Sequence, residues 1–180
     1  MHEKRFAGDI KRLRNPERVE RLEVERVVDL CLKTSPVASV LDAGSGSGLF
    51  AEAFSKRGLK VSGLDVNLEM LTAARKFVPN GDFRVGVTEA LPFPDRSFEL
   101  VFLGLVLHEA DDVLKTLLEA LRVSRQRVYI LEWPYQDQSF GPPLADRLNP
   151  ADLASLFQKA AFRKWKMTKL TNTVLYCLDV

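Results

Sequence analysis

Cysteine, histidine and long apolar runs are scarce in this chain of 180 residues. The two cysteines, Cys31 and Cys177, lie far apart in apolar runs, so the sequence has no CxxC pair and no four-cysteine metal site. Two buried free thiols are favoured over a disulfide, which fits a reducing, cytoplasmic location. The two histidines have no cluster of ligand residues around them, and this argues against a metal site.

No segment has the composition of a membrane span or a secretory signal. The longest strongly apolar stretch covers residues 100–107, whereas a spanning helix needs roughly 20 residues. Lys and Arg total 26 against 24 Asp and Glu, and this near balance disfavours a dedicated polyanion binder. The apolar fraction of 46% is enough for a packed core. We therefore expect a soluble, single-domain protein without a membrane span.

After a basic N-terminal stretch, strand-like and helix-like segments alternate along the chain. Residues 1–14 are predicted to form an arm or lid rather than a folded unit, and Asn15-Pro16 to begin a helix that ends at Ser35-Pro36. Five alternations of strand and helix follow, and two strands that we expect to be antiparallel close the chain. This pattern predicts an α/β fold with a doubly wound, mostly parallel sheet of seven strands and helices on both faces.

The most specific local signal is a glycine-rich turn between a buried strand and a helix, containing Gly44, Gly46 and Gly48. Glycine allows the backbone to approach a ligand closely, and the helix start beyond it offers N–H groups to an anionic group. Leu49 stands where the dinucleotide pattern needs its third glycine, which disfavours a nicotinamide oxidoreductase. No G-K-[ST] follows, so a nucleoside-triphosphate loop is excluded. A tight structural connection is the alternative interpretation.

Asp65 ends the next predicted strand, 17 positions after Gly48. A carboxylate at this edge of a parallel sheet can accept hydrogen bonds from the hydroxyls of a ribose. Alone, it would be read as an acid at a helix N-terminus. Together with the glycine turn at the same sheet edge, it predicts a site for a nucleoside.

Four motifs occur in this order along the chain: VLDAGSGSG at 40–48, GLDVNLEML at 63–71, EALPFPDRSFELVF at 89–102 and LHEADD at 107–112. With them, about the middle half of the chain resembles the class I S-adenosylmethionine-dependent methyltransferases. It is most similar to the type 11 group, which includes the ubiquinone and menaquinone methyltransferases. The resemblance implies a Rossmann-like sheet with strand order 3-2-1-4-5-7-6, an antiparallel last strand, and S-adenosylmethionine as cofactor with S-adenosylhomocysteine as product.

The resemblance also implies the cofactor-binding residues, which stand at the predicted strand ends. Asp42 and the turn would hold the methionine end, Asp65 the ribose, and the later residues the adenine edge and the sulfonium. They are Asp42, Gly44, Ser45, Gly46, Gly48, Asp65, Val66, Met70, Thr88, Glu89 and Leu103. Two departures from the family pattern stand out. Gly86-Val87-Thr88 replaces the usual Gly-Asp-Ala, which removes an acid expected at the adenine amino group. Residues 123–127 replace a Lys-Pro-Gly-Gly turn, which we expect to be a surface turn.

His108 is the best candidate for a catalytic base, because it follows the fourth strand and histidine titrates near neutral pH. A histidine that caps or anchors the next helix is an equally good interpretation. Glu132 and Tyr135 lie at the same sheet edge and could orient an acceptor, with a structural hydrogen-bond role as the alternative for Glu132. The long loop 134–148 is predicted to lack regular structure. With Trp133, Tyr135 and Phe140, this region either lines an apolar substrate pocket or packs on the last helix.

From this evidence we expect methyl transfer to a small organic acceptor by in-line displacement. Methylation of RNA or protein is the first alternative, because residues 157–170 are rich in Lys and Arg, and Arg122, Arg125 and Arg127 are predicted to cluster on a turn. A charge run is more often a solvated face, which makes nucleic acid the less favoured partner. A non-catalytic partner protein that binds S-adenosylmethionine is the second alternative.

Overall fold

The computed structural model describes residues 9–33 and 36–180. Part of the arm predicted for residues 1–14, including His2, and the helix end predicted at Ser35 lie outside these described residues.

A seven-stranded sheet forms the centre of the described structure, in the order β3-β2-β1-β4-β5-β7-β6. Its strands are β1 Ser39–Ala43, β2 Lys60–Asp65, β3 Asp82–Val85, β4 Phe98–Gly104, β5 Ser124–Glu132, β6 Lys164–Lys169 and β7 Val174–Asp179. All neighbours pair in parallel except β7, which is antiparallel to both β5 and β6. The predicted fold class, the strand order and the antiparallel last strand are confirmed.

Seven helices and two short 3₁₀ helices accompany the sheet within the described ranges. The helices are α1 Ile10–Leu13, α2 Pro16–Arg21, α3 Val24–Leu32, α4 Leu49–Lys56, α5 Leu68–Phe77, α6 Val113–Val123 and α7 Pro150–Lys159. The 3₁₀ helices are Leu107–Glu109 and Leu144–Asp146. Side chains cap several helices: Asn15, which the sequence predicts to begin a helix, and Asn67, Asp112 and Asn149 each accept a backbone N–H of the first turn.

The helices cover both faces of the sheet, and each face has its own apolar core. On one face, α3, α4 and α5 enclose a cluster that contains Phe54 and Phe102, with ring centroids 5.4 Å apart. On the other face, α6 and α7 enclose a cluster that contains Leu117 and Phe157. Burial on both faces explains why β1 and β4 read as nearly continuous apolar runs.

The N-terminal region differs from the prediction in two ways. The helix that begins after Asn15 is interrupted at Glu23, which adopts a left-handed φ of 49°; its carboxylate accepts the backbone N–H of Thr171 at 2.8 Å. The break allows both Leu22 and Val24 to enter the core. The end of the arm is a short helix, α1, rather than an unfolded segment. The next residue, Arg14, donates hydrogen bonds to the carbonyl of Ser47 and to Glu52.

Two further segments are more ordered than predicted. The surface turn expected at residues 123–127 is wrong, because β5 already begins at Ser124, which is buried and pairs with Phe98. The loop 134–148 contains the second 3₁₀ helix and is held from within by Arg147. Both cysteines are free thiols, as expected, but only Cys31 is buried, whereas Cys177 is partly exposed. No helix in the described ranges has both the length and the apolar character needed to span a membrane.

Candidate cofactor and acceptor site

A cavity of about 640 Å³ lies at the carboxyl ends of the parallel strands. Segments that follow β1, β2, β3, β4 and β5 form its wall, and α1, α2 and the loop 134–148 cover it. Open α/β sheets bind ligands at this edge, at the point where the strand order reverses. The volume is in the range of small-molecule sites, which span about 300–1,000 Å³.

The glycine turn is shaped by close backbone contacts. The N–H groups of Gly44 and Ser45 both donate to the carbonyl of Leu64, each at 2.8 Å. Gly44 has a φ of 79°, and a Cβ there would lie 2.4 Å from Cγ2 of Val106, so the position requires glycine. The hydroxyl of Ser45 is buried on the cavity wall and has no hydrogen-bond partner among the described residues. A polar ligand atom would satisfy it.

Gly48 has a different place from the one predicted. It has a φ of 76°, and a Cβ there would lie 2.8 Å from Cβ of Ala74. It is absent from the residues that line the cavity. The structure therefore places Gly48 where α4 begins and packs closely on α5, and not in contact with the cavity.

Asp65 joins the ends of β1 and β2. One carboxylate oxygen, Oδ2, accepts the N–H of Gly46 at 2.8 Å, and the other, Oδ1, accepts the N–H of Asn67 at 2.9 Å. Burial raises the pKa of Asp65, although these backbone hydrogen bonds partly oppose the shift. Each oxygen keeps a further acceptor site, so the carboxylate can still receive hydroxyl donors from the cavity.

Asp42 is a buried carboxyl on the cavity wall, only 2% exposed. Its Oδ2 accepts the N–H of Ala51 at 3.0 Å, in the first turn of α4. Burial raises its pKa to about 7, and the nearby charge of Asp65 adds to the shift. A cationic group beside it would favour the ionised form.

The remaining predicted cofactor residues divide into two groups. Four line the cavity: Val66, Met70, Thr88 and Glu89. Leu103 does not, because its side chain packs in the core on the α6 and α7 face and is 1% exposed. Gly104 and Leu105 form the wall at the end of β4 instead. Leu105 has a left-handed φ of 58° and donates its N–H to the carbonyl of Leu131 at 2.8 Å.

The polar residues after β3 are held to the start of α6. The hydroxyl of Thr88 lies 3.0 Å from that of Thr116, and Glu89 Oε1 accepts the N–H of Asp111 at 2.8 Å. The backbone that carries the two residues is thereby fixed against α6. Val87, which stands where the family usually has the acid, also lines the cavity, and Thr88 presents the neighbouring hydroxyl.

His108 and Glu132 form a buried pair beside the cavity. His108 Nδ1 lies 2.8 Å from Glu132 Oε2, and the backbone N–H of His108 donates to Oε1 at 3.2 Å. Burial lowers the pKa of His108, but the charge and hydrogen bond of Glu132 outweigh it, so the net pKa is raised. His108 lines the cavity, whereas Glu132 lies behind it and is 2% exposed. The pair orients the imidazole with Nε2 away from Glu132.

Of the three predicted loop aromatics, only Trp133 lines the cavity. Phe140 packs on Trp133, with ring centroids 5.8 Å apart, and Tyr135 is 46% exposed. The structure therefore does not place Tyr135 on the cavity wall. Pro142, Pro143 and Asp146 of the same loop line the cavity instead, and no periodic pattern in the sequence marks them.

The N-terminal segment also covers the cavity, and the sequence alone did not identify which of its residues do so. Arg12, Leu13, Arg18 and Leu22 line the cavity. A lid was expected from residues 1–14, but α2 contributes as well. In the described ranges no group of three or more His, Cys, Asp or Glu residues has the arrangement of a metal site.

The basic residues behind the RNA alternative lie elsewhere. All five between residues 157 and 170 are exposed and near or within the edge strand β6, and none lines the cavity. The three arginines expected on a turn each form an ion pair, with Asp95 and Glu119, with Glu99, and with Asp179.

Comparison with known proteins agrees with this geometry. Residues 41–131 match the model of a family described as a methyltransferase domain. A demethylmenaquinone methyltransferase from Renibacterium salmoninarum is 35% identical over 107 residues, which are 59% of this chain and 45% of that protein. The uncharacterized methyltransferase YcgJ from Bacillus subtilis is 30% identical over 144 residues, 76% of this chain and 57% of that protein. The crystal structure of an S-adenosylmethionine-dependent methyltransferase from Aquifex aeolicus has a TM-score of 0.85 at 24% identity, with 95% of this chain and 96% of that chain covered.

The family model covers half of the chain, and the fold and the cavity are those expected of the family. The chain therefore belongs to the class I S-adenosylmethionine-dependent methyltransferases. S-adenosylmethionine is the cofactor of this class. The residues present fit it, because the orphaned Ser45 hydroxyl, the narrow cradle at Gly44 and the Asp65 carboxylate share one cavity wall. The chain spans about half the length of the curated relatives it matches.

Proposed function

We propose that this protein transfers a methyl group from S-adenosylmethionine to a small organic acceptor. The observation that carries the proposal is that the glycine turn, Asp65 and His108 all line one cavity. A cofactor and an acceptor bound along this cavity would meet end to end, as in-line displacement requires.

Within this proposal, each part of the cofactor contacts a different set of residues. Asp42 and Ser45 would hold the methionine end, where the carboxyl of Asp42 faces an ammonium group. Asp65 would accept the ribose hydroxyls, and Val66 with Met70 would contact the adenine or ribose. Thr88 would take the place of the missing acid at the adenine edge. The shift in the pKa of Asp42 supports its assignment, since a buried carboxyl gains most from a cationic partner.

The bound cofactor supplies a methyl group on a cationic sulfur that leaves as a thioether. The chain mainly has to align the acceptor, and such alignment contributes roughly 7–11 kcal/mol. An acceptor hydroxyl or amine must also lose a proton. Glu132 accepts the Nδ1 proton of His108, which leaves the lone pair on Nε2 to take the proton from the acceptor.

Two observations support a small acceptor over RNA or protein. The cavity is covered by α1, α2 and the loop 134–148, and its acceptor side includes Trp133, Pro142 and Pro143. The exposed lysines are on or near β6, away from this wall. A relative whose name specifies demethylmenaquinone supports the same substrate class.

The experiment incubates the protein and methyl-labelled S-adenosylmethionine with three acceptor pools: a low-molecular-mass metabolite extract, total RNA and total protein. Asp65→Ala is the matched variant with a weakened cofactor site. We expect the label in the small-molecule pool, dependent on Asp65. Label in RNA or protein would overturn the acceptor class, and no label in any pool would favour a non-catalytic binding protein.

A further inference from the structure

Arg18 is a cation on the cavity wall whose hydrogen-bonding capacity is not used. It lies in α2, and its Nε is buried without a hydrogen-bond partner among the residues that the structure describes. The side chain lines the same cavity as His108 and Asp65. A buried donor without a partner is destabilising, and more so when the group is charged.

The surroundings of Arg18 increase this cost. Burial lowers its pKa, and the like charges of Arg12 and Arg21 lower it further. Glu109 acts in the opposite direction but is a weaker influence. Three cationic side chains thus lie near one another at the cavity cover, and two of them, Arg12 and Arg18, line the cavity. An anion in the cavity would compensate this charge.

The neighbours of Arg18 indicate that it lies on the part of the cavity wall near His108. The preceding residues hold the segment at the glycine turn: Leu13 is the side-chain neighbour of Gly46, and Arg14 donates to the carbonyl of Ser47. Arg18 follows four residues later, in α2, and is close enough to Glu109 for their charges to interact. Glu109 in turn lies 3.8 Å from Nε2 of His108.

The acidic side chains on the same wall limit the kind of anion. Glu109 and Asp146 both line the cavity, and each already has an interaction of its own. A doubly charged phosphate would be repelled by them more strongly than a singly charged carboxylate. The planar guanidinium also matches a carboxylate in geometry, since it can donate two parallel N–H groups.

We propose that Arg18 binds a carboxylate of the methyl acceptor, so that the substrate is a small organic acid whose nucleophile lies beside His108. This rests on the proposed function and narrows its substrate class. Arg18 is then a specificity-determining residue, and the acid group fixes the distance between the reacting atom and the cover of the cavity. A neutral acceptor would offer the Nε of Arg18 no charged partner.

The test uses the complex with S-adenosylhomocysteine and a pair of probes of equal shape, 4-hydroxybenzoate and 4-hydroxybenzamide. Binding is measured by calorimetry for the natural protein, for Arg18→Gln, and for Lys11→Gln. Lys11 is exposed on α1 and absent from the cavity wall, so its substitution controls for the loss of one positive charge. S-adenosylhomocysteine affinity is measured separately for each protein.

We expect the natural protein and Lys11→Gln to bind the carboxylate at least tenfold more tightly than the amide, and Arg18→Gln to bind both equally. The melting temperature of free Arg18→Gln should stay the same or rise, because an uncompensated charge is removed. Equal binding of both probes by the natural protein, or binding of neither, overturns the proposal. Loss of S-adenosylhomocysteine affinity in Arg18→Gln overturns it too, because Arg18 would then hold the methionyl carboxylate. Failure of the natural protein to bind S-adenosylhomocysteine contradicts the proposed function itself.

Discussion

Asp65 Oδ2 accepts the backbone N–H of Gly46 at 2.8 Å, so the acid at the end of β2 holds the glycine turn at the end of β1. The two elements of the predicted nucleoside site are therefore one hydrogen-bonded unit. A substitution at Asp65 affects both the ribose contacts and the shape of the turn, and experiments have to separate these effects.

We predict that Asp65→Ala weakens S-adenosylhomocysteine binding by about 1–3 kcal/mol, through loss of hydrogen bonds to a charged acceptor. Asp65→Asn keeps a side-chain oxygen for the N–H of Gly46, so it should lose less affinity. Calorimetric titration of the three proteins measures the difference. The same affinity for S-adenosylhomocysteine in all three proteins would show that Asp65 does not bind the cofactor.

The His108–Glu132 pair predicts a pH response that does not require a known acceptor. Glu132 raises the pKa of His108, so Glu132→Gln should lower it and shift the titration of the imidazole to lower pH. NMR of the ring protons, assigned with His108→Asn, measures this titration. A titration midpoint that does not move would show that Glu132 does not determine the protonation of His108.

The raised pKa of His108 also predicts how stability and turnover change with pH. Because the folded pKa of His108 is raised, its stabilising contribution is complete below the unfolded value of about 6.5 and is lost as the pH rises through the folded pKa. Turnover has the opposite dependence, since only the neutral imidazole accepts a proton. The rising limb of the turnover profile should therefore move to lower pH in Glu132→Gln, provided that His108 is the base.

Asp42 is predicted to lower the stability of the free protein at high pH and to strengthen ligand binding. A folded pKa of about 7 against an ordinary value of 3.8 corresponds to about 4 kcal/mol. The raised pKa means that stability is lost as the pH rises from about 4 to about 7. Asp42→Asn should remove much of this loss, and so raise the free energy of unfolding at pH 8 while weakening S-adenosylhomocysteine binding.

Urea unfolding at low and high pH, with the exposed Asp152→Asn as control, tests whether Asp42 lowers stability as the pH rises. The control should show the pH dependence of the natural protein. An Asp42→Asn variant that is less stable at both pH values, by the same amount, would contradict the assignment of the buried charge.

Gly48 is predicted to act through helix packing. Gly48→Ala places a methyl group 2.8 Å from Cβ of Ala74 at a left-handed φ of 76°, and we expect a loss of about 2–3 kcal/mol. Adding Ala74→Gly should recover more than additivity allows, by about 1 kcal/mol. Chemical unfolding of the two single variants and the double variant measures the coupling. Strictly additive effects would show that the two positions do not clash.

Arg147 is predicted to hold the acceptor-side loop. Its guanidinium donates to four backbone carbonyls and to one side-chain oxygen: those of Pro134, Gln136, Phe140, Pro142 and Gln138 Oε1. Arg147→Lys keeps the charge but loses the fork, so limited proteolysis should cut faster within residues 134–148. The exposed Arg163→Lys is the control. Unchanged cleavage in Arg147→Lys would contradict the assigned role.

Local chemistry explains why much of the fold was predictable. Asn67 caps α5 and Asn149 caps α7 because a short amide side chain satisfies N–H groups of a first helical turn whatever the tertiary context. The turn at Gly44 is visible because only glycine tolerates the contact with Val106. The break at Glu23 was not predictable, since a left-handed glutamate becomes favourable only through its contact with Thr171, far away in sequence.

The residues of the site likewise divide into those that the sequence could identify and those that it could not. Residues that follow a strand, such as Asp42 and Asp65, could be placed because the ends of parallel strands share one sheet edge. Leu103 and Leu105 could not be separated, because alternation decides which side chain enters the core only once the end of β4 is known. Arg18 gave no sequence signal, since its importance arises from how α2 lies over the cavity.

The assigned roles of Asp42, Asp65 and the glycine turn all require that the cavity receives S-adenosylmethionine. Calorimetric titration of the natural protein with S-adenosylhomocysteine, and with NADH as a comparison, tests this directly. We expect saturable heat with one site per chain for S-adenosylhomocysteine and none for NADH. No heat and no rise in melting temperature with S-adenosylhomocysteine, together with binding of NADH, would contradict it.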